Sequence, residues 1–260
     1  MKIVRYQKNN KISYGVINKN TIIPVTGDIF EKYELSEQSL KREDVKLLAP
    51  VNPPNIIAIG LNYKKHADET GKDYPERPLI FIKATSSVIG PEDNIVIPEA
   101  APDEVDYEAE LVIVIGKKAK NIEVDEVSDY VLGYTCGNDV SARDCQHRLD
   151  KQWARAKSFD TFCPIGPWIE TELPEPDNCR IMSRLNGKVM QDSNTSDLIF
   201  NTKELVSYCS KNFTLYPGTI IMTGTPEGVG YARKPQVFLK AGDTIEIEIE
   251  NIGKLSNKVV

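Results

Sequence analysis

The stretch Asp106-Tyr-Glu108-Ala-Glu110-Leu-Val-Ile-Val-Ile115-Gly116 decides the fold of this chain, because it joins two glutamates to an uninterrupted apolar run. The segment Glu110–Ile115 is largely aliphatic and β-branched, which is typical of a strand buried on both faces, and Gly116 ends it. In a strand, alternate residues face the same side about 6.6 Å apart. Glu108 and Glu110 are therefore predicted to reach one common point.

A glutamate at the mouth of a buried strand is costly unless something compensates its charge, and a metal ion would do so. The sequence also leaves a second interpretation open. Asp103, Glu104 and Asp106 lie just upstream, so the whole stretch is compatible with a solvated acidic edge.

Asp139 is the candidate for a third ligand, since it follows a second predicted buried strand, Val131–Cys136. It could equally be the N-cap of a helix beginning near Ser141–Arg143. Three carboxylates without cysteine or histidine favour a hard cation, Mg²⁺ or Mn²⁺, over zinc.

The chain has only two histidines, so imidazole-driven proton transfer must use one of them. His66 lies three residues before Glu69, on a predicted helical turn that Asn62 caps and Gly71 ends. Residues i and i+3 share a helix face, so Glu69 can orient the imidazole of His66 as a general base. The alternative is an ordinary pair on the surface.

Lys157 lies among small and apolar neighbours in Arg155-Ala-Lys157-Ser-Phe159. It could supply a second positive charge beside an oxyanion at the metal, or it could be solvated like most lysines. The glycine-rich segment Gly224–Gly230 lacks the lysine of a phosphate loop, so it is interpreted as a ligand-facing turn.

The rest of the chain predicts more strands than helices. Ile220–Met222 is a further buried strand, and Asp243–Glu250 alternates strictly between apolar and acidic residues. Helices are expected over Val124–Tyr130 and after Asn201, which forms a capping signature with Glu204. The predicted fold class is α+β, dominated by strands.

Residues 1–50 are predicted to form a small β-rich N-terminal domain with its linker. The segment Ile12–Val16 alternates apolar and polar residues as a half-buried strand does. The proline-bearing connector Ala49-Pro-Val-Asn-Pro-Pro54 is extended and ends this unit. The main, catalytic domain is predicted over residues 51–260.

Composition excludes several classes of protein. The 260 residues carry a net charge of −6, and no cluster of Lys or Arg suggests a nucleic-acid partner. The longest aliphatic stretch, Leu111–Ile115, is too short to span a bilayer. The five cysteines contain no C-x-x-C pair, so neither a disulfide framework nor a thiolate zinc site is expected. A cytoplasmic location is predicted.

The candidate residues lie in a series of motifs whose order resembles the fumarylacetoacetate hydrolase family, over about residues 51–260. The resemblance is to its acylpyruvase, oxaloacetate tautomerase and 2-hydroxyhepta-2,4-diene-1,7-dioate isomerase branch. The motifs are Gly60–Glu69, Arg77–Lys83, Asp106–Leu111, Asn138–Gln146, Lys157–Asp160, Asn186–Asp197 and Gly224–Gly230.

This resemblance implies a distorted β-roll, a homodimer, and Mg²⁺ or Mn²⁺ as cofactor. By position in the motifs, it makes Glu108, Glu110 and Asp139 the metal ligands. The further residues that it implies for the site are the catalytic His66, Glu69 and Lys157 and the substrate-binding Arg143, Gln146 and Thr225.

The expected substrate is a 2-oxo or 2,4-dioxo acid that reacts through an enolate stabilised by the metal. The first expectation is hydrolysis of a C–C bond in acylpyruvates such as fumarylpyruvate. The alternative is isomerisation, tautomerisation or decarboxylation, for example of oxaloacetate, at the same site. A metal-binding module without activity is the third hypothesis. Arg77, Arg148 and Tyr74 are candidates for binding a second substrate carboxylate.

Overall fold

The computed structural model describes residues 1–260 as 19 strands and three short α-helices. This is the strand-dominated α+β class that the sequence predicts. None of the helices is long and apolar enough to cross a lipid bilayer.

The strands are β1 (Lys2–Lys8), β2 (Lys11–Asn18), β3 (Thr21–Gly27), β4 (Tyr33–Leu35), β5 (Leu40–Lys41), β6 (Lys46–Leu48), β7 (Ile56–Gly60), β8 (Leu79–Lys83), β9 (Val88–Ile89), β10 (Val105–Asp106), β11 (Ala109–Ile115), β12 (Val131–Asn138), β13 (Ser141–Ala142), β14 (Cys163–Glu170), β15 (Arg180–Leu185), β16 (Lys188–Asn194), β17 (Ile220–Met222), β18 (Thr244–Ile249) and β19 (Gly253–Lys258). The α-helices are α1 (Lys64–Thr70), α2 (Ala154–Lys157) and α3 (Thr202–Asn212). Short helical turns lie at Arg42–Asp44, Thr85–Ser87, Val127–Asp129, Cys145–Leu149, Thr195–Asp197 and Gly230–Ala232.

A mixed sheet of 13 strands forms the centre of the molecule, with its main path in the order β4-β3-β2-β1-β14-β12-β11-β17-β7-β8. Within it β11 lies between β12 and β17, both antiparallel to it. Every residue of β11 is buried. The aliphatic run after Glu110 is therefore a strand covered on both faces, as its sequence predicts.

A second sheet of four strands, in the order β16-β15-β18-β19, packs against the first. In β18, buried and partly buried residues alternate. Ile245, Ile247 and Ile249 enter the same apolar cluster as Leu111 and Cys136. The alternation of Asp243–Glu250 is thus confirmed as one face on the core and one towards water.

The N-terminal strands β1–β6 continue the large sheet rather than forming a separate one. Ile3 of β1 pairs antiparallel with Ile169 of β14, and the N-terminal ammonium lies 2.8 Å from Glu170. These strands also enclose a small apolar cluster of their own: Val4, Tyr6, Ile17, Ile22, Val45 and Leu47. The division at residue 50 falls between β6 and β7 and stays a prediction.

Two local predictions were wrong and one is confirmed. Asn62 does not cap α1, because its amide donates to the carbonyls of Phe200 and Thr223 and accepts from the Phe200 N–H. The segment Val124–Tyr130 forms only the single turn Val127–Asp129, since a short acidic segment holds little helix without packing. At α3, Asn201 and Glu204 form the predicted capping box.

The cysteines give a direct test of this core. All five thiols are buried and unpaired, and burial raises the pKa of Cys163 and Cys209 to about 12. Enclosed, protonated thiols are unreactive. We expect a thiol-specific disulfide reagent to modify none of them in the folded protein and all five in guanidinium chloride without reductant. A thiol that reacts rapidly in the folded protein would contradict this packing.

Candidate active site

A cavity of about 360 Å³ opens beside the buried end of β11. Of its 20 lining residues, nine are the site residues predicted from the sequence. The structure therefore brings all of them to one place: His66, Glu69, Glu108, Glu110, Asp139, Arg143, Gln146, Lys157 and Thr225.

The pairing of β11 with β12 assembles three carboxylates at the floor of this cavity. Ala109 faces Asn138 across the ladder, and the N–H of Asp139 donates to the carbonyl of Glu108 at 2.9 Å. One oxygen from each of Glu108, Glu110 and Asp139 lies within 4.8 Å of the others. All three side chains are buried. The solvated acidic edge and the N-cap role of Asp139 were therefore wrong interpretations, and Ser141–Ala142 is a strand.

Two buried ammonium groups lie against these carboxylates. Lys157 Nζ lies 2.6 Å from Glu108 Oε2 and 2.7 Å from Asp139 Oδ2. Lys83 Nζ contacts Asp139 Oδ1 and donates to the carbonyl of Phe162 at 3.0 Å. Lys157 is thus not solvated, and its charge lies inside the cavity.

The three carboxylates are not equally compensated. Burial alone would raise the pKa of Glu108, but the charges of Lys157 and Arg143 lower it to about 2. For Glu110, burial and the nearby Asp139 and Glu108 raise the pKa well above its usual value. Glu110 forms no salt bridge and accepts one hydrogen bond, from the N–H of Gly224 at 2.9 Å.

This donor set fits a divalent cation. The converging groups are all oxygens, they are buried, and one of them lacks a compensating charge. Oxygen-only sites with two or three carboxylates suit Mg²⁺ or Mn²⁺. The group that could hold the ion is therefore the one the sequence predicts: Glu108, Glu110 and Asp139.

Helix α1 places the predicted proton-transfer pair at the cavity wall. His66 Nδ1 lies 2.7 Å from Glu69 Oε1, and the two side chains are only 13% and 23% exposed. An ionised carboxylate only accepts hydrogen bonds, so Nδ1 is the donor to Glu69, and Nε2 of the neutral imidazole then carries the lone pair. The pair is part of the cavity wall and not an ordinary surface pair.

The glycine-rich segment Gly224–Gly230 donates backbone N–H groups to the acidic residues of the site. Gly224 donates to Glu110, and Gly228 donates to both carboxylate oxygens of Glu69 at 3.1 and 3.0 Å. Gly230 donates to Asp106 at 2.8 Å. The segment lies against the cavity as predicted, and its function in the structure is to hold the carboxylates in place.

The predicted substrate-binding residues are also held by hydrogen bonds. Arg143 donates to Asp106 at 2.9 Å and to Gln146 Oε1 at 2.7 Å, and it pairs with Glu108 at 2.8 Å. Thr225 Oγ1 accepts from Gln191 at 2.8 Å. The charge of Arg143 is thus balanced by buried carboxylates, while the NH₂ of Gln146 is left for a ligand.

Sequence reasoning missed several residues that line or support this cavity. Lys72, His147 and Trp153 line it, and Lys83 supports Asp139 from behind. Lys83 ends the motif Arg77–Lys83 and His147 is the second histidine of the chain, but neither was assigned a role, while Lys72 and Trp153 carry no local signal because their positions depend on segments distant in sequence. In contrast, none of the three residues proposed for a second carboxylate lines the cavity: Arg77, Arg148 and Tyr74.

Comparison of the sequence with known protein families identifies the family of this chain. A family profile described as Fumarylacetoacetate (FAA) hydrolase C-terminal matches residues 55–260, and one described as Rv2993c-like, N-terminal matches residues 1–50. The chain belongs to the fumarylacetoacetate hydrolase family. It is an enzyme family, and a site of three acidic residues is consistent with the metal dependence general in it.

Several relatives of this chain are named as tautomerases or isomerases. "Oxaloacetate tautomerase Fahd2a, mitochondrial" of Rattus norvegicus is 48% identical, over 96% of this chain and 85% of its own length. 5-carboxymethyl-2-hydroxymuconate delta-isomerase from Mycobacterium smegmatis is 40% identical with a TM-score of 0.91, covering 100% of this chain and 99% of its own. 2-hydroxyhepta-2,4-diene-1,7-dioate isomerase from Mycobacterium marinum is 37% identical with a TM-score of 0.90, covering 100% and 98%.

The uncompensated charge of Glu110 predicts opposite effects on metal binding and stability. In Glu110→Gln we expect Mn²⁺ affinity, measured by calorimetry, to fall more than the ~10–100-fold typical of groups that act indirectly. Without divalent ions, the same variant should melt at a higher temperature than the wild type at neutral pH, because burial and the nearby Asp139 and Glu108 disfavour the ionised carboxylate and raise its pKa, whereas an amide carries no charge. The exposed Asp103→Asn is the control and should change neither quantity. Unchanged Mn²⁺ affinity in Glu110→Gln would exclude this site.

The bond from Gly228 to Glu69 predicts a positioning effect. Gly228 has φ +95°, and a Cβ there would lie 2.4 Å from the carbonyl oxygen of Met190. We expect Gly228→Ala to shift the imidazole NMR signals of His66 and to lower turnover about 10–100-fold. The control is Gly187→Ala, which has φ +79° at an open hairpin turn. It shares the backbone strain but should leave the His66 signals unchanged; equal shifts in both variants would contradict the prediction.

Proposed function

We propose that the protein is a divalent-metal-dependent tautomerase or isomerase of 2-oxo acids, with oxaloacetate as the substrate to test first. The observation that carries the proposal is the meeting, in one cavity, of a buried carboxylate triad, a buried ammonium and a histidine–glutamate pair. The names of the relatives favour this alternative over C–C bond hydrolysis.

The residues that would hold the ion are Glu108, Glu110 and Asp139. When bound, a divalent ion supplies Lewis acidity that favours enolate formation from a 2-oxo acid. The remaining chemistry belongs to side chains of this chain.

Lys157 is suited to stabilising negative charge on the substrate oxygen. Although burial disfavours its charged form, Asp139 and Glu108 raise the pKa of Lys157, so it stays protonated. Its ammonium is fixed by two carboxylates before substrate arrives, and no reorganisation is needed when charge develops.

His66 is suited to moving the proton. With Nδ1 donating to Glu69, the lone pair of Nε2 can take a proton from carbon 3 of a 2-oxo acid. Returning that proton to the oxygen completes the change from the keto to the enol form, with no net gain or loss of atoms. The reverse sequence converts enol to keto.

The same pair supports hydrolysis of acylpyruvates as a second candidate, since a base at His66 could activate water instead. In that reaction the proton comes from water, and the C–C bond breaks to release an acid and pyruvate.

The homodimer and the cytoplasmic location stay predictions, and the rat relative is named as mitochondrial.

Loss of the enol form of oxaloacetate, followed by its ultraviolet absorbance, tests the proposal. We expect the wild type to accelerate this loss with Mg²⁺ and not with EDTA. Lys157→Gln should lose about 100- to 1,000-fold in rate, as expected for removal of one oxyanion-stabilising group. Lys151→Gln, an exposed position in the same region, is the matched control and should keep its rate.

Replacement of the base separates the two candidate reactions. In His66→Gln, acylpyruvate hydrolysis should disappear, whereas tautomerisation should persist in part, because solvent bases can still remove the acidic carbon-3 proton while Lys157 stabilises the enolate. A wild type that binds Mg²⁺ but fails to accelerate enol loss, while releasing pyruvate from an acylpyruvate, would replace the first proposal by the second.

A further inference from the structure

One cation in the cavity wall has no assigned function. Three cationic side chains line the cavity: Lys72, Arg143 and Lys157. Arg143 and Lys157 are paired with buried carboxylates. Lys72 is exposed and forms no salt bridge, so it is the one lining cation whose charge no carboxylate of the protein balances.

The backbone of Lys72 is anchored to the helix that carries the proton-transfer pair. Gly71 adopts φ +64° after α1 and donates to the carbonyl of Asp68 at 3.2 Å, and Lys72 N–H donates to the carbonyl of Ala67 at 3.0 Å. These two bonds form a Schellman cap, which fixes the chain direction at the end of the helix. The cap therefore fixes the position of the Lys72 backbone relative to helix α1, which carries His66.

The cavity-lining carboxylate nearest to Lys72 in sequence is Glu69, and it is already engaged by other groups. Glu69 bonds to His66 and to the N–H of Gly228. The other histidine of the cavity wall, His147, adds no charge beside Lys72. His147 packs its ring 4.5 Å from that of Tyr231, and partial burial, Arg143 and Lys72 hold its pKa below the usual range, so it is neutral near pH 7.

We propose that Lys72 is a specificity-determining residue that binds the distal carboxylate of a 2-oxo diacid. This inference rests on the proposed function, in which the 2-oxo acid end of the substrate lies at the carboxylate triad. A four-carbon diacid carries its second carboxylate away from that end, towards the cavity wall. Lys72 is the lining cation left to meet it, while Phe81 and Trp153 provide apolar wall.

Calorimetric binding with Mg²⁺ present tests this inference with two ligands. Oxaloacetate has the distal carboxylate, and oxalate keeps the adjacent oxygens of a 2-oxo acid but lacks it. In Lys72→Gln we expect the Kd for oxaloacetate to rise about threefold to fivefold, the upper part of the range for one exposed charge pair, and the Kd for oxalate to stay unchanged. Lys72→Arg should restore tight oxaloacetate binding.

Lys65→Gln is the matched control, because Lys65 is exposed on the same helix, pairs with Glu227 and does not line the cavity. It should leave both affinities unchanged. An unchanged Kd for oxaloacetate in Lys72→Gln, or equal losses for both ligands, would overturn the inference.

Turnover separates this inference from the proposed function. If Lys72→Gln weakens only oxaloacetate binding but the wild type does not accelerate enol loss, the assignment of Lys72 holds and the proposed reaction is wrong. If enol loss is fast in the wild type and its KM is unchanged in Lys72→Gln, the proposed reaction holds and the assignment of Lys72 is wrong.

Discussion

The burial of three carboxylates at one point is the constraint on which the rest of this structure depends. Removing an ionised carboxylate from water is very costly, and placing three together adds mutual repulsion. Lys157, Lys83 and Arg143 offset most of that cost by direct contact with Glu108 and Asp139. Glu110 forms no salt bridge, and its surroundings disfavour its ionised form, so this position is open to a further cation. Such an arrangement is typical of a binding site rather than of a stable core.

The register of β11 and β12 is what brings the carboxylates together. Because side chains alternate along a strand, a slip by one residue would turn Glu110 to the opposite face. The pairing of Ala109 with Asn138 sets Asp139 beside Glu108. The antiparallel ladder from the Ala109–Asn138 pair to the Val114–Gly133 pair holds that register, so backbone pairing determines the geometry of the polar site.

Most of the candidate site could be predicted because its residues lie in local patterns. Two glutamates two apart at the start of a strand, and a histidine and a glutamate three apart in a helix, share a face by backbone geometry. Asn62 was misassigned because its partners, Phe200 and Thr223, lie far along the chain. The choice between tautomerisation and hydrolysis was also beyond the sequence, since one set of residues supports both.

The sequence by itself determined the buried strand, the strand-dominated fold class and the residues that carry the chemistry, because these depend on side-chain periodicity and on order along the chain. Only the tertiary structure decided which charges are neutralised and which are free. Arg143 and Lys72 are both cations in the sequence, yet one is paired with buried carboxylates and the other stands unpaired at the cavity wall. The reason is that ion pairing depends on distances between segments remote in sequence, and only the folded chain sets those distances.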